Sequence, residues 1–201
     1  MLNAARFTLF ALVSLLLAAS SSAVEPLKTD KSSDGPIAYR VLATSRTSTL
    51  EKEMNEAAED GFEFDDMMGG ETLGGDEVVT VMVRREGVGS EQRYEYKLLA
   101  TSKTSTMLKE LNQAGSEGFV YRGQSVAETA FGGNEVISLL SRALDQQRKR
   151  YVYLLKATKR TKTMDKELNH AGQEGFELMG LTVSTTAFGG QELVSILMRA
   201  E

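Results

Sequence analysis

The chain has 201 residues, with 23 Lys and Arg against 28 Asp and Glu, one His and no Cys. A formal charge of −5 leaves out the concentrated cationic face that nucleic-acid binding needs, and the one short basic run, in "QQRKRY" up to Tyr151, is too brief to supply it. The lack of Cys excludes disulfides, thiol chemistry and Cys-ligated metal, so packing alone must hold the fold.

The first predicted element is a secretory signal peptide over residues 1–23. Arg6 precedes an apolar run from Phe7 to Ala19, which is shorter than the roughly 18 residues a membrane span requires. Ser21, Ser22 and Ala23 offer the small side chains that signal peptidase accepts. Cleavage after Ala23 is expected, and no Cys follows the apolar run to carry a lipid. No second apolar run follows, so the mature chain is expected to be periplasmic or secreted and to carry no transmembrane anchor. Residues 24–36, "VEPLKTDKSSDGP", hold both prolines and read as a polar leader.

The remainder says one thing three times. "YRVLATSRTSTLEKEMNEAAEDGF" from Tyr39, "YKLLATSKTSTMLKELNQAGSEGF" from Tyr96 and "YLLKATKRTKTMDKELNHAGQEGF" from Tyr153 open repeats over 37–85, 94–142 and 151–200. Each begins with an alternating segment, in which Tyr39, Val41 and Ala43, or Tyr96, Leu98 and Ala100, or Tyr153, Leu155 and Ala157, share one face of a strand. A helix follows, its apolar stripe running Leu50, Met54, Ala57 in the first copy, Met107, Leu111, Ala114 in the second and Met164, Leu168, Ala171 in the third. Thr47, Thr104 and Thr161 are placed to cap its start, and Gly61, Gly118 and Gly175 to end it in a left-handed turn. A second strand begins at Phe62, Phe119 and Phe176. After a loop with Gly74-Gly75, Gly132-Gly133 or Gly189-Gly190 comes a third strand, "EVVTVMVR", "EVISLLSR" or "ELVSILMR", apolar at nearly every position and therefore central.

The predicted fold is α+β: three tandem βαββ repeats, each a three-stranded sheet in the order 1-3-2, with the third strand antiparallel in the centre and one helix on one face. The other face is predicted to carry Leu42, Val78 and Met82, then Leu99, Val136 and Leu140, then Leu154, Leu193 and Leu197. A unit this small has a marginal core, and the cover for its second face is expected to be a neighbouring repeat.

The segments "YEYKLLA", "ELNQAGSEGF" and "ISLLSR" of the second copy, closely followed by the third, resemble a small bacterial family of strand-helix-strand-strand modules known only as a domain of unknown function. The first copy departs from it, lacking the glycine found at Gly115 and Gly172, and Phe stands in all three copies where the family has Trp. The resemblance implies a fold and no activity.

Several positions recur in all copies. Thr44, Arg46, Thr47 and Glu77, with Thr101, Lys103, Thr104 and Glu135, and Thr158, Arg160, Thr161 and Glu192, are predicted to gather at one end of each unit. There helix N–H groups and a cation could hold an anion; the plainer reading is capping threonines and glutamates paired with the neighbouring base. Arg84, Arg142 and Arg199 fall at the opposite end and are expected to pair with the acids Asp60, Glu117 and Glu174. Asn55, Asn112 and Asn169 sit inside helices, where Asn is a poor former, which predicts a side-chain bond to a nearby loop. His170, the lone His, aligns with Glu56 and Gln113 and reads as solvated. Glu63, Asp65 and Asp66 read as a solvated strand edge, since the other copies do not keep them. No catalytic, metal or cofactor set emerges.

These readings favour a non-enzymatic exported module that binds or assembles with a protein or cell-envelope partner, with self-association among the partners it allows. The alternative is a small-ligand, anion-carrying or enzymatic protein with a pocket between repeats.

Overall fold

The computed structural model describes residues 35–86, 92–128, 134–185 and 191–201; the predicted signal peptide, nearly all of the leader, and the Gly132-Gly133 and Gly189-Gly190 loops lie outside them. Three βαββ units follow one another. The first has β1 (Ile37–Thr44), α1 (Thr47–Glu59), β2 (Glu63–Thr72) and β3 (Gly75–Arg85). The second has β4 (Tyr94–Thr101), α2 (Thr104–Ser116), β5 (Val120–Glu128) and β6 (Asn134–Ala143), and the third β7 (Tyr151–Thr158), α3 (Thr161–Gln173), β8 (Glu177–Thr185) and β9 (Gln191–Ala200). The sheets run β1-β3-β2, β4-β6-β5 and β7-β9-β8, with every hydrogen-bonded pair antiparallel. The uniformly apolar third strand is the central one in each, as its composition predicts.

Helix ends follow the glycines. Gly61, Gly118 and Gly175 have φ of 82°, 91° and 82°, and the N–H groups of Phe62, Phe119 and Phe176 donate back to the carbonyls of Ala57, Ala114 and Ala171 at 3.0 Å. That closes the last turn with the paired bonds of a Schellman motif. The helix starts differ from expectation. Arg46, Lys103 and Arg160 occupy the cap position and no side chain caps the helix, so Thr47, Thr104 and Thr161 are first helical residues. The hydroxyls of the preceding threonines act instead: Thr44 accepts from the Arg46 N–H at 3.1 Å and Thr101 from the Lys103 N–H at 3.2 Å, tightening the strand-to-helix turn.

The two sheet faces are the reverse of the predicted assignment. Leu42, Val78 and Met82 pack with Leu50, Met54 and Ala57 of their own helix, and Leu99, Val136 and Leu140 with Met107, Leu111 and Ala114. The face that receives a neighbour is the one bearing the strand-one tyrosines. Tyr96, Leu98, Ile137 and Leu139 of repeat 2 join the core built on α1, and Tyr153 and Ile196 of repeat 3 join the core built on α2. α1 and α2 are therefore each sandwiched between their own sheet and the next one. The expectation that repeats cover one another holds, with the helix as the filling.

Beside the helices the sheets approach directly. A Cβ on Gly69 would lie 2.5 Å from the Val126 carbonyl oxygen, and one on Gly180 2.7 Å from the Tyr121 hydroxyl. Gly115 of α2 is pressed against the next repeat in the same way, since its Cβ would stand 2.3 Å from the Tyr151 carbonyl oxygen, whereas nothing comes within 4 Å of a Cβ on Gly172, its counterpart in α3. The same substitution should thus have opposite signs at the two sites. Gly115→Ala is expected to destabilise by about 1–3 kcal/mol through overpacking, and Gly172→Ala to stabilise by about 0.5–1 kcal/mol through helix propensity. Urea melts of both variants check the pair; equal effects would contradict the packing described.

Candidate functional site

The predicted polar rim is present as a juxtaposition. Thr44, Thr101 and Thr158 pair with Val78, Val136 and Leu193, which follow Glu77, Glu135 and Glu192 in sequence. Arg46, Lys103 and Arg160 are exposed at the same end. Glu77 accepts a short hydrogen bond from the Thr72 hydroxyl, which itself accepts from the Gly74 N–H at 3.0 Å, so this carboxylate closes the β2–β3 turn. Among the described residues, no ion pair joins Glu77, Glu135 or Glu192 to Arg46, Lys103 or Arg160. A recess lined by Thr101, Ser102, Lys103, Thr104, Met107, Val136, Thr182 and Val194 holds only about 20 Å³, room for about one water.

At the other end the arginines do not meet the carboxylates predicted for them. Arg84, Arg142 and Arg199 donate to the main-chain oxygens of Asp60, Glu117 and Glu174 at 3.1, 2.9 and 3.0 Å, placing a cation on each helix C-terminus. They also lie over the rings of Phe62, Phe119 and Phe176. The Asp60 and Glu117 carboxylates pair with Arg40 and Lys97 of the first strands instead. The Lys97 ammonium, 2.6 Å away, holds the Glu117 carboxyl below the usual range. His170 is exposed, 3.7 Å from Glu174. Asp65 pairs with Arg85 and Asp66 accepts from its neighbour Met67, and among the described residues no group of acids or His is placed to hold a metal.

The helix asparagines have a role that the sequence shows only in part. Asn55 donates to the Glu51 carbonyl of its own helix and to the Tyr96 carbonyl, and accepts from the Tyr96 N–H, at 2.8, 2.9 and 2.9 Å. Asn112 does the same with Leu108 and Tyr153 at 3.0, 3.1 and 2.9 Å. The partner is the outer edge of the next repeat's first strand, not a loop. Each amide thus satisfies an edge N–H and C=O that would otherwise be open.

The tyrosine returns the contact. Every second strand carries a bulge at the same place, between Phe64 and Asp66, Tyr121 and Gly123, and Leu178 and Gly180. A bulge interrupts the ladder, and the N–H groups of Phe64 and Tyr121 donate to the hydroxyls of Tyr96 and Tyr153 of the next repeat, both at 2.7 Å. The Tyr153 hydroxyl in turn donates to the Phe119 carbonyl at 3.0 Å. Burial pushes the Tyr96 phenol up to about 12 from an ordinary 10.0, and raises Tyr121 and Tyr153 as well. The unfolded chain therefore ionises first. Stability should be fully present below pH 10 and fall as pH rises toward 12, by at most about 1 kcal/mol per pH unit for each phenol involved. Urea melts at pH 9 to 11.5 check this, and a flat profile would contradict it.

Among the described residues, the two ends of the stack lack these partners. Tyr39 is 61% exposed where Tyr96 and Tyr153 are 3% and 2%. Ile37, Val41 and Met68 are exposed on the same face of the first sheet. At the far end Met164 and Leu168 of α3 are only half-buried, Leu178, Leu181 and Val183 of β8 are exposed, and Asn169 is exposed with its amide donating only to Asp165. A different feature marks the linker between repeats 2 and 3: a polar cleft of about 480 Å³ whose lining includes Tyr94, Arg122, Arg142, Arg148, Lys149 and Tyr151. Two of its cations are already engaged, Arg122 with Ser141 and Arg142 with Glu95.

Comparison with protein-family models, with curated proteins and with solved structures gave no match. Among the described residues, no helix is long and apolar enough to cross a membrane.

Proposed function

We propose that the protein is a non-enzymatic, exported binding or assembly module that engages a protein or cell-envelope partner through the end faces of its repeat stack. The observation that carries this reading is the placement of exposed apolar side chains. Ile37, Tyr39, Val41 and Met68 share one terminal face, and Leu178, Leu181 and Val183 lie at the other. Clustered exposed apolar groups on a folded chain mark interaction surfaces. Export rests on the signal-peptide pattern of residues 1–23. The test is capture from a native envelope extract by the mature chain, compared with Tyr39→Glu and Leu181→Glu. Loss of capture in one or both supports the reading, and capture unchanged in both overturns it.

The cleft at the linker supports a second reading, a carrier of a small anionic ligand, because Arg148 and Lys149 line it along with the two engaged arginines. Calorimetric titration with inorganic phosphate and with a nucleotide tests that reading. Binding that Arg148→Gln with Lys149→Gln removes would favour it over the first.

A further inference from the structure

We propose that the partner of each end is a second copy of this chain, joined head to tail: the Tyr39 face of one molecule docks on α3 and β8 of another as repeat 3 docks on repeat 2. The proposal rests on the partner-binding reading of the end faces and names the partner. Its basis is that the required interface already occurs within the chain at both internal junctions, and that both of its halves are left over at the ends.

The tail half is preset. Asn169 makes the same bond to the carbonyl four residues back, at 2.7 Å, that orients Asn55 and Asn112, so its amide is held where an edge strand could meet it; among the described residues none does, and it lies 3.3 Å from the Asp165 carboxylate. Glu51 on α1 accepts from the Leu98 N–H at 2.7 Å. Asp165 occupies that place on α3 and corresponds to the Val41 N–H of an incoming strand. Leu178 stands beside the third bulge, where Phe64 and Tyr121 donate to a tyrosine hydroxyl. Gly172 keeps open the space that Gly115 needs for the Tyr151 carbonyl, although among the described residues nothing comes within 4 Å of a Cβ there. An exposed helix glycine is unfavourable in isolation, and its counterpart for an incoming copy is the Ile37 carbonyl.

The head half matches. Tyr39 aligns with Tyr96 and Tyr153, and Val41 with Leu98 and Leu155, and both are exposed. Among the described residues, β1 is an edge strand with one side unpaired. The corresponding edges of β4 and β7 are covered by Asn55 and Asn112. Head and tail are different surfaces, so the contact is heterologous and leaves a free head and a free tail after each addition. Growth to chains longer than dimers follows.

Sedimentation velocity of the mature chain across a concentration series tests this with two variants at exposed positions. Tyr39→Glu disables the head, and Gly172→Gln places a side chain where the incoming backbone must pass. The wild type should move from monomer to a ladder of larger species as concentration rises. Each variant alone should stay monomeric, with association weakened at least tenfold and a thermal melt that is not lowered. An equimolar mixture should form a dimer that does not grow, since one variant retains a working tail and the other a working head. Should either variant melt early, Val41→Glu and Asn169→Asp replace them. A wild type that stays monomeric throughout, variants that assemble alone, or a mixture of folded variants that fails to pair would each overturn the proposal. A monomeric wild type that still captures a different protein through Tyr39 would overturn it while leaving the partner-binding reading intact; failure of both assays removes both.

Discussion

Residues 92–143, produced alone, are expected to be unfolded or to self-associate without a defined size. In the full chain Tyr96, Leu98, Ile137 and Leu139 of this repeat are buried against α1, and the inner stripe of α2 is closed by Tyr153 and Ile196 of repeat 3. Removing the neighbours uncovers both sides at once. Burial of a large apolar side chain contributes about 1.5–3 kcal/mol. Exposing four on one side alone forfeits several kcal/mol, comparable with the roughly 5–15 kcal/mol that a whole domain has in reserve. Far-UV circular dichroism and sedimentation of the fragment check this. A monomeric fragment with a cooperative melt would show that each repeat carries a sufficient core of its own.

The second large effect separates chemically identical residues by their place in the stack. Tyr153→Ala should cost about 3–5 kcal/mol, because it empties a buried aromatic site and leaves the Tyr121 N–H and Phe119 carbonyl without the hydroxyl that serves both. Tyr39→Ala, at the same position of repeat 1, should stay within about 0.5 kcal/mol of wild type in dilute solution, as for other exposed sites. Denaturant melts of the two variants check the contrast. Similar losses at both positions would mean that Tyr39 is buried, or that Tyr153 does not join repeats 2 and 3.

Much of this arrangement was legible in the residues. The threefold recurrence of the tyrosine strand, the four-then-three spacing of Leu50, Met54 and Ala57, and the glycines at 61, 118 and 175 predict the elements and their order. The fully apolar "EVISLLSR" predicts the central strand. The assignment of faces was not legible, because the first strand is apolar on both sides: Leu42 and Val41 differ little in hydropathy, and only one of them meets the helix of its own repeat. The asparagines were conspicuous as poor helix formers, but the edge that Asn55 pairs with lies 41 residues further along the chain and carries no local sign of needing an amide. The bulges beside Phe64 and Tyr121 have no residue signature in common, since Asp65, Arg122 and Met179 occupy the inserted positions. The exposure of Tyr39 at one end and Leu181 at the other depends on the direction of packing, and no single segment reveals that direction.

The account turns on the claim that α1 and α2 reach forward to bind the first strand of the next repeat, leaving the first strand of repeat 1 unclaimed. Native-state hydrogen exchange at the amides of Tyr39, Tyr96 and Tyr153 tests it most directly, in a dilute sample of the mature chain. The account predicts slow exchange at Tyr96 and Tyr153, whose N–H groups each donate to an asparagine at 2.9 Å, and fast exchange at Tyr39. Equal protection at all three, or fast exchange at Tyr96 and Tyr153, would contradict it.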